Sequence, residues 1–313
     1  MKVSILIPCH NAERWIEAAI RSALGQTYEN KEVIVVDDGS TDGSLEIIRS
    51  FGDAVHWEAA PHLGGNHARN HLLELATGDW LQYLDADDYL SRVKVANQMK
   101  FLHCVPDTDI IYSPVIIEYW KGGAVTHTET REVRVSDDPW TLLIRWRLPQ
   151  TGGPLWRRAA LVDAGGWKVD QPCCQEAELY LRLLKRGAKF VHFDKAGAVY
   201  RQWSEGTVCR KDPLLSITKR LEVIGAAEEF LTDRGELTKE RRDALAETRL
   251  ELARSLMAHD STLARRVEWQ ARGGGGRSTL AASPALPAGY RMVYRLVGFG
   301  GAEWLAKSIR RAR

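Results

Sequence analysis

Val33-Ile34-Val35-Val36-Asp37-Asp38-Gly39-Ser40-Thr41-Asp42-Gly43 decides the fold. Four β-branched or apolar residues in a row specify a short strand buried on both faces, and the carboxylates and glycines that follow specify a turn. Several of those turn residues can cap the helical segment of Leu45, Ile47 and Ile48. The same alternation repeats outward. Val3–Ile7, closed by Pro8, reads as a strand, and Asn11 is placed to cap a helix in which Trp15, Ile16, Ala19, Ile20, Ala23 and Leu24 recur at helical spacing. Val55–Glu58 is a third strand, His67–Ala76 a helix and Trp80–Leu84 a fourth strand. Continuous apolar strands separated by helices predict an α/β fold with a mostly parallel sheet covered on both faces. Ligands of such sheets bind beyond the carboxyl ends of the strands. Two acidic clusters fall there, Asp37-Asp38 and Asp85-Ala86-Asp87-Asp88.

Beyond residue 104 the pattern is more mixed. Ile110–Val115 and Ile116–Trp120 read as strands, Gly122-Gly123 as a hairpin turn and Val125–Val135 as the return. Trp140–Trp146 and Glu176–Arg186 read as helices, with the loop Gly152-Gly153-Pro154 between them, and Lys189–Phe193 and Ala198–Arg201 as closing strands. After Pro213 come charged helical segments, Leu214–Leu231 and Lys239–Ala258. A glycine run at 273–276 and a Pro/Ala loop at 283–287 separate them from a basic amphipathic segment, Tyr290–Arg311. The expected division is a catalytic domain over 1–212, with a nucleotide half (1–103) and an acceptor half (104–212), and a helical, basic region over 213–313.

The 313 residues, 44% hydrophobic and 27% charged, have the make-up of a folded globular chain and exclude collagen-like and disordered classes. The net charge of +2 gives no field for nucleic acid. Residues 1–213 carry −4 and 214–313 carry +6, with +8 from Arg265 onward. Five irregularly spaced cysteines predict reduced thiols. No signal-peptide core or spanning run is present, which predicts a cytoplasmic protein, at most peripheral at the inner face of a membrane.

Chemistry concentrates in the acidic clusters. No G-x-G-x-x-G follows the first strand and no P-loop occurs, so dinucleotide and P-loop phosphate binding lack their usual devices. Asp85 and Asp87, one residue apart at a strand end, suit a hard divalent cation that keeps positions open for phosphate oxygens; an Asp-rich turn with a helix cap has the same composition. Asp38 can accept from a nucleobase imide or a ribose, or serve a turn. Arg69 can touch a base or phosphate, or make a salt bridge. No histidine spacing suggests zinc, and no triad order suggests a covalent nucleophile.

The run VSILIPCHNAERWIEAAIRSALGQTYENKEVIVVDDGSTDGSLEII (3–48) and GGNHARNHLLELATGDWLQYLDADD (64–88) resemble the family 2 glycosyltransferases in order and spacing. The likeness is close over 1–100 and looser over 150–205. It implies a GT-A fold, Rossmann-like, and an inverting, metal-dependent transfer of one sugar from a nucleotide donor, UDP-linked in most members, to a hydroxyl acceptor. Carried over by position, Ile7 and Pro8 line the nucleotide pocket, Asp38 pairs with the uracil imide with Asp37 beside it, and Arg69 lies near the base. Asp85 lies near the ribose, and Asp87, with Asp85, holds Mn²⁺ or Mg²⁺ on the diphosphate; Asp88 is a helper or cap. Where the family places Glu-Asp-x-(Asp/Glu)-Leu-x-x-Arg, this chain has Gln175-Glu176-Ala177-Glu178-Leu179-Tyr180-Leu181-Arg182. Glu176 therefore takes the place of the general base, one carbon longer. Glu178 is a further candidate, though four-residue spacing suits a pair with Arg182. Tyr200-Arg201-Gln202-Trp203 stands where the diphosphate site closes, so Arg201 and Trp203 are candidates there, and Trp156, Trp167 and Trp203 are candidates for a wall that stacks on a sugar. His10 replaces a common tyrosine.

Two other classes compete. A sugar-nucleotide nucleotidyltransferase would need a Gly-rich basic loop where Pro8-Cys9-His10-Asn11 stands. A non-catalytic nucleotide-sugar-binding scaffold would not need Asp85, Asp87 and Glu176 together. A glycan or lipid-linked acceptor of surface polysaccharide assembly is expected, nucleic acid is not, an oligomer is open, and the segment 290–311 suggests peripheral membrane contact.

Overall fold

The computed structural model describes residues 1–133, 138–203, 212–273 and 287–311, the side chains of 310 and 311 excepted. The glycines at 274–276, the loop residues 283–286 and Cys209 lie outside the described residues. Two compact units form, residues 1–139 with 148–207 and residues 140–147 with 208–313. The segment 140–147, expected in the acceptor half, groups with the C-terminal helices.

In the first unit β1 (Val3–Cys9), β2 (Lys31–Asp38), β3 (His56–Ala60) and β4 (Trp80–Tyr83) run parallel, with β1 between β4 and β2. Helices α1 (Ile16–Leu24), α2 (Ser44–Arg49) and α3 (Gly65–Leu75) connect them. Alternate residues of β1 (Val3, Ile5, Ile7 and Cys9) share a core with Ile16, Ala19 and Ile20 of α1, and α3 packs on the same strands. β1 continues through Pro8 instead of ending there. Its last residue paired with β4 is Leu6, opposite Tyr83, and the Leu6 carbonyl accepts from Leu84 N–H. Pro8 has the parity of Leu6 and lies beyond β4, where a missing N–H leaves no ladder bond unmade.

After β5 (Tyr89–Leu90) comes α4 (Lys94–Leu102), then β6 (Ile110–Tyr112), the hairpin β7 (Val115–Lys121) and β8 (Ala124–Arg131), and α5 (Pro139–Ile144). β9 (Leu155–Arg157) inserts antiparallel between β4 and β6. It is followed by α6 (Arg158–Asp163), α7 (Gln175–Lys185), β10 (Phe190–His192) and β11 (Ala198–Gln202). The main sheet has seven strands, ordered β10-β6-β9-β4-β1-β2-β3, and a second has four, β5-β11-β7-β8. Sequence periodicity had no hold on β5 or α4, which are short or weakly patterned and are fixed by their partners.

The second unit holds Trp140–Ile144 of α5 with α8 (Pro213–Asp233), α9 (Lys239–Leu256), α10 (Ser261–Ala271) and α11 (Ala288–Arg311). Asp212 and Thr238 cap α8 and α9, and Asp260 caps α10. Only Gly298 (φ 75°) breaks α11. One face of α11 is buried: Tyr294 donates to Glu268, Tyr290 donates to Glu303, and Arg254 pairs with Glu303 at 2.8 Å. No helix among the described residues is long and apolar enough to cross a membrane.

Candidate active site

The carboxyl ends of β1, β2 and β4 carry the predicted residues. Asp38 ends β2 and is 3% exposed. Its Oδ1 accepts from Leu63 N–H at 2.8 Å, and its Oδ2 from Gly64 N–H at 3.0 Å and His62 Nδ1 at 2.9 Å. The carboxylate thus fastens the loop that starts α3. Gly39 (φ 67°) permits the close approach, because a Cβ there would lie 2.8 Å from the His62 nitrogen. Asp37 is turned inward: its Oδ2 accepts from Ser40 N–H, and its Oδ1 is buried without a partner. Burial, with the Asp37 charge, pushes the Cys9 thiol up to about 12, which leaves it unreactive. Ile7 is fully buried, so it offers a nucleotide only backbone. Asn11 does not cap α1. It has φ 48°, and its side chain accepts from Thr41 N–H, tying the loop after β1 to the loop after β2. Asp38 also borders a cleft of about 370 Å³ with Leu63, His67 and His71. Neither Asp85 nor Glu176 lines it, so it is not where the acidic turn acts.

That turn follows β4. Asp88 N–H bonds the Asp85 carbonyl, closing it, and the antiparallel pairing of β5 with β11 brings Arg201 and Trp203 beside it. Asp88 Oδ1 accepts from Arg201 N–H at 2.8 Å, the Arg201 guanidinium donates to the Asp87 carbonyl at 3.2 Å, and Trp203 Nε1 donates to Asp87 Oδ2 at 2.9 Å. Burial, reinforced by the Asp85 charge, raises the Asp87 carboxyl. Burial and then Asp87 and Asp85 raise that of Asp88 well above the carboxylate range. Three crowded acids of this kind are short of positive charge. They present the oxygen donors that a hard divalent cation takes. Arg201 lies 4.5 Å from the Tyr89 ring centroid and 4.9 Å from that of Trp15. Burial lowers its pKa, and its Nε lies 4.0 Å from Glu118 Oε2 without a hydrogen bond among the described residues.

Arg69, on α3, faces the acidic turn. It pairs with Asp85 at 2.8 Å, and its guanidinium lies 5.0 Å from the Trp167 centroid. Burial opposes its charge, but Asp85 and then Glu176 outweigh burial and raise its pKa. Glu176 is in the first turn of α7, behind Cys174 in a left-handed conformation (φ 60°), and it accepts from the Thr151 hydroxyl. Arg69 is thus bonded to Asp85 and lies in the electrostatic field of Glu176. Glu178 is committed elsewhere: it pairs with Arg182 at 2.8 Å, which also binds the Gly166 carbonyl at 2.7 Å.

Trp156 and Trp167 are not a sugar wall. Trp156 is 0% exposed and stacks on Tyr180 at 5.1 Å, and Trp167 packs edge-on to Tyr83. β9 lies in the middle of the main sheet, so its tryptophan is core. Trp203, 43% exposed, is the one of the three open to a ligand. Sequence reading missed Thr151 and His62. Each lies in a loop whose only signal was neighbouring glycines, and the partner that matters is distant in the chain.

Residues 4–159, about half of the chain, match the model of the glycosyl transferase family 2. A Haemophilus influenzae protein named an uncharacterized glycosyltransferase is 41% identical over 104 residues, 32% of this chain and 42% of its own length. The Escherichia coli UDP-Glc:alpha-D-GlcNAc-diphosphoundecaprenol beta-1,3-glucosyltransferase WfaP is 39% identical over 102 residues, 32% of this chain and 41% of its own. The chain thus spans about two fifths of the length of these curated relatives. Residues 1–349 of Staphylococcus aureus TarS, solved in complex with UDP-GlcNAc, superpose with a TM-score of 0.62 at 17% identity, covering 100% of this chain and 93% of that one. The likeness establishes the GT-A fold. With the family match and the ordered motifs, the chain belongs to glycosyl transferase family 2.

Proposed function

We propose that this chain transfers one sugar from a nucleotide donor, UDP-linked, to a hydroxyl acceptor with inversion at the anomeric carbon. The observation that carries the reading is the convergence of Asp85, Asp87 and Asp88 with Arg201 on one side and, on the other, Arg69, which pairs with Asp85 and feels the charge of Glu176. The UDP-GlcNAc bound to TarS, and the GDP-Man and Mn²⁺ bound to a mannosyltransferase of the same fold from Pyrobaculum calidifontis, support a nucleotide-sugar donor and a divalent cation. Asp87 and Asp85 would hold Mn²⁺ or Mg²⁺, which when bound supplies charge against the donor diphosphate. Arg201 and Trp203 close over the same groups. Asp38 accepts from the base, with Asp37, Ile7 and Pro8 behind it. Glu176 takes the proton of the acceptor hydroxyl as that oxygen attacks the anomeric carbon opposite the leaving diphosphate. Arg69, paired with Asp85 and in the field of Glu176, keeps the acidic turn and the base end of the site in one charge-balanced cluster.

The acceptor class follows from two features. The named acceptor of WfaP is a diphosphoundecaprenol-linked sugar. The second unit also exposes Trp269, Met292, Leu296 and Trp304 among basic residues such as Arg291 and Lys307. A cytoplasmic-face enzyme resting on an anionic bilayer and acting on a lipid-linked acceptor accounts for both. Because the opposite face of α11 is buried, Leu296→Glu and Trp304→Glu test membrane contact without uncovering a core; co-sedimentation with anionic vesicles should fall in both. The donor site is tested by calorimetry of UDP. Mn²⁺ should strengthen binding to the wild type and not to Asp87→Ala, and equal affinity with and without metal in the wild type removes the cation from the reading.

A further inference from the structure

The base end of the site holds a ring of the chain itself. The His62 imidazole lies on that of His10, with centroids 4.0 Å apart and planes within 19°. Its Nδ1 is 2.9 Å from Asp38 Oδ2 and 3.0 Å from the Asp38 carbonyl, and His10 Nδ1 reaches the same carbonyl at 2.8 Å. A flat heteroaromatic ring that stacks on one face and gives one N–H to a buried carboxylate makes the contacts by which a pyrimidine imide would be recognised there. We infer that His62 is an internal stand-in for the donor nucleobase, whose ring must leave Asp38 and His10 before a uridine nucleotide is seated. The inference rests on the nucleotide-sugar reading above.

The local mechanics suit a ring that swings while its backbone stays. Leu63 and Gly64 amides hold the loop on Asp38, and Gly39 lies against the His62 backbone nitrogen. The His62 side chain is 57% exposed and is held there by one N–H and one stacking contact. Rotation about its side-chain torsions clears the slot and frees a lone pair of Oδ2, while both amide bonds to the carboxylate persist. His10, Asp38 and His62 also come close enough to hold an ion. Both Nδ1 atoms, however, already face the Asp38 carbonyl oxygen, at 2.8 and 3.0 Å, so as donors to it they offer no lone pair to a cation while the stack stands.

The stand-in competes with the ligand it resembles, so its removal strengthens binding, the reverse of what loss of a contact residue does. Calorimetry with the full chain in Mn²⁺, using UDP and inorganic pyrophosphate as probes, separates the cases. His62→Ala should bind UDP about five- to a hundredfold more tightly, the range of one hydrogen bond and one stack released. Pyrophosphate, which never enters the base slot, should bind as to the wild type. In histidine-labelled protein the His62 ring resonances should lose their stacked environment when UDP is added. Unchanged or weaker UDP binding by His62→Ala, with wild type still preferring UDP over pyrophosphate, overturns the stand-in and leaves the donor reading standing. A wild type that binds UDP no better than pyrophosphate overturns the base site itself, and the inference with it.

Discussion

Truncating Asp38 to Ala removes one carboxylate that the structure gives two tasks. In the free protein it accepts two backbone amides and an imidazole, all from residues 62–64, and its side chain is almost wholly buried. Hydrogen bonds to a charged group contribute about 1.5–3 kcal/mol each. The released donors belong to a loop in which His62 and Leu63 are exposed, so water replaces part of the loss. The low end of the range for each amide then gives about 3 kcal/mol of local stability. Hydrogen exchange read by mass spectrometry over residues 60–72 measures it directly. A local opening energy lowered by about 3 kcal/mol speeds exchange of the Leu63 and Gly64 amides roughly a hundredfold, while strands β1 and β4 keep their protection. The same variant should also lose about 1–3 kcal/mol of UDP affinity from the unpaired base. Unchanged protection at 63 and 64 would refute the anchoring role. Full UDP affinity in a folded variant would refute the role in base recognition.

Glu176→Gln keeps the shape of the site and removes the proton acceptor. UDP affinity should stay within about twofold while sugar transfer falls by ~10²–10⁴, read as UDP release from the donor. At acid pH the fold should depend on Glu32. Burial opposes its ionisation, but hydrogen bonds from Lys2, Ser4 and Thr77 prevail and hold its carboxyl at about 2. The native state therefore binds its proton later than the unfolded chain, and a contribution of roughly 2–3 kcal/mol, complete above pH 4.5, disappears as pH falls through 2. Glu32→Gln should flatten that limb of a denaturation series across pH. Lys94 gives the opposite limb. Burial beside Gln82 drives its pKa well below 10.5, so the unfolded chain binds the proton first and stability rises with pH up to that value. Lys94→Met should abolish that rise, and an unchanged slope would mean that Lys94 is charged in the fold.

Local sequence determined the parallel half of the protein. Val3–Ile7, Val33–Val36 and Trp80–Leu84 are apolar without alternation, which is possible only for strands covered on both faces, and turn chemistry places Asp37-Asp38 and Asp85–Asp88 at their ends. Helical spacing likewise announced α1, α7 and the C-terminal helices. Tertiary structure decided what those residues face. Nothing in a three-residue segment tells that Leu155–Arg157 enters the sheet between β4 and β6, yet that placement makes Trp156 core instead of a ligand wall. The pairing of β5 with β11 sets Arg201 and Trp203 on Asp87 and Asp88 across more than a hundred residues, and α3 aims Arg69 at Asp85. The physical reason is range. Periodicity and turn residues act over a few positions, whereas the bonds of Asp85 with Arg69 and of Asp87 with Trp203 join positions 16 and 116 residues apart, and only strand order brings those together.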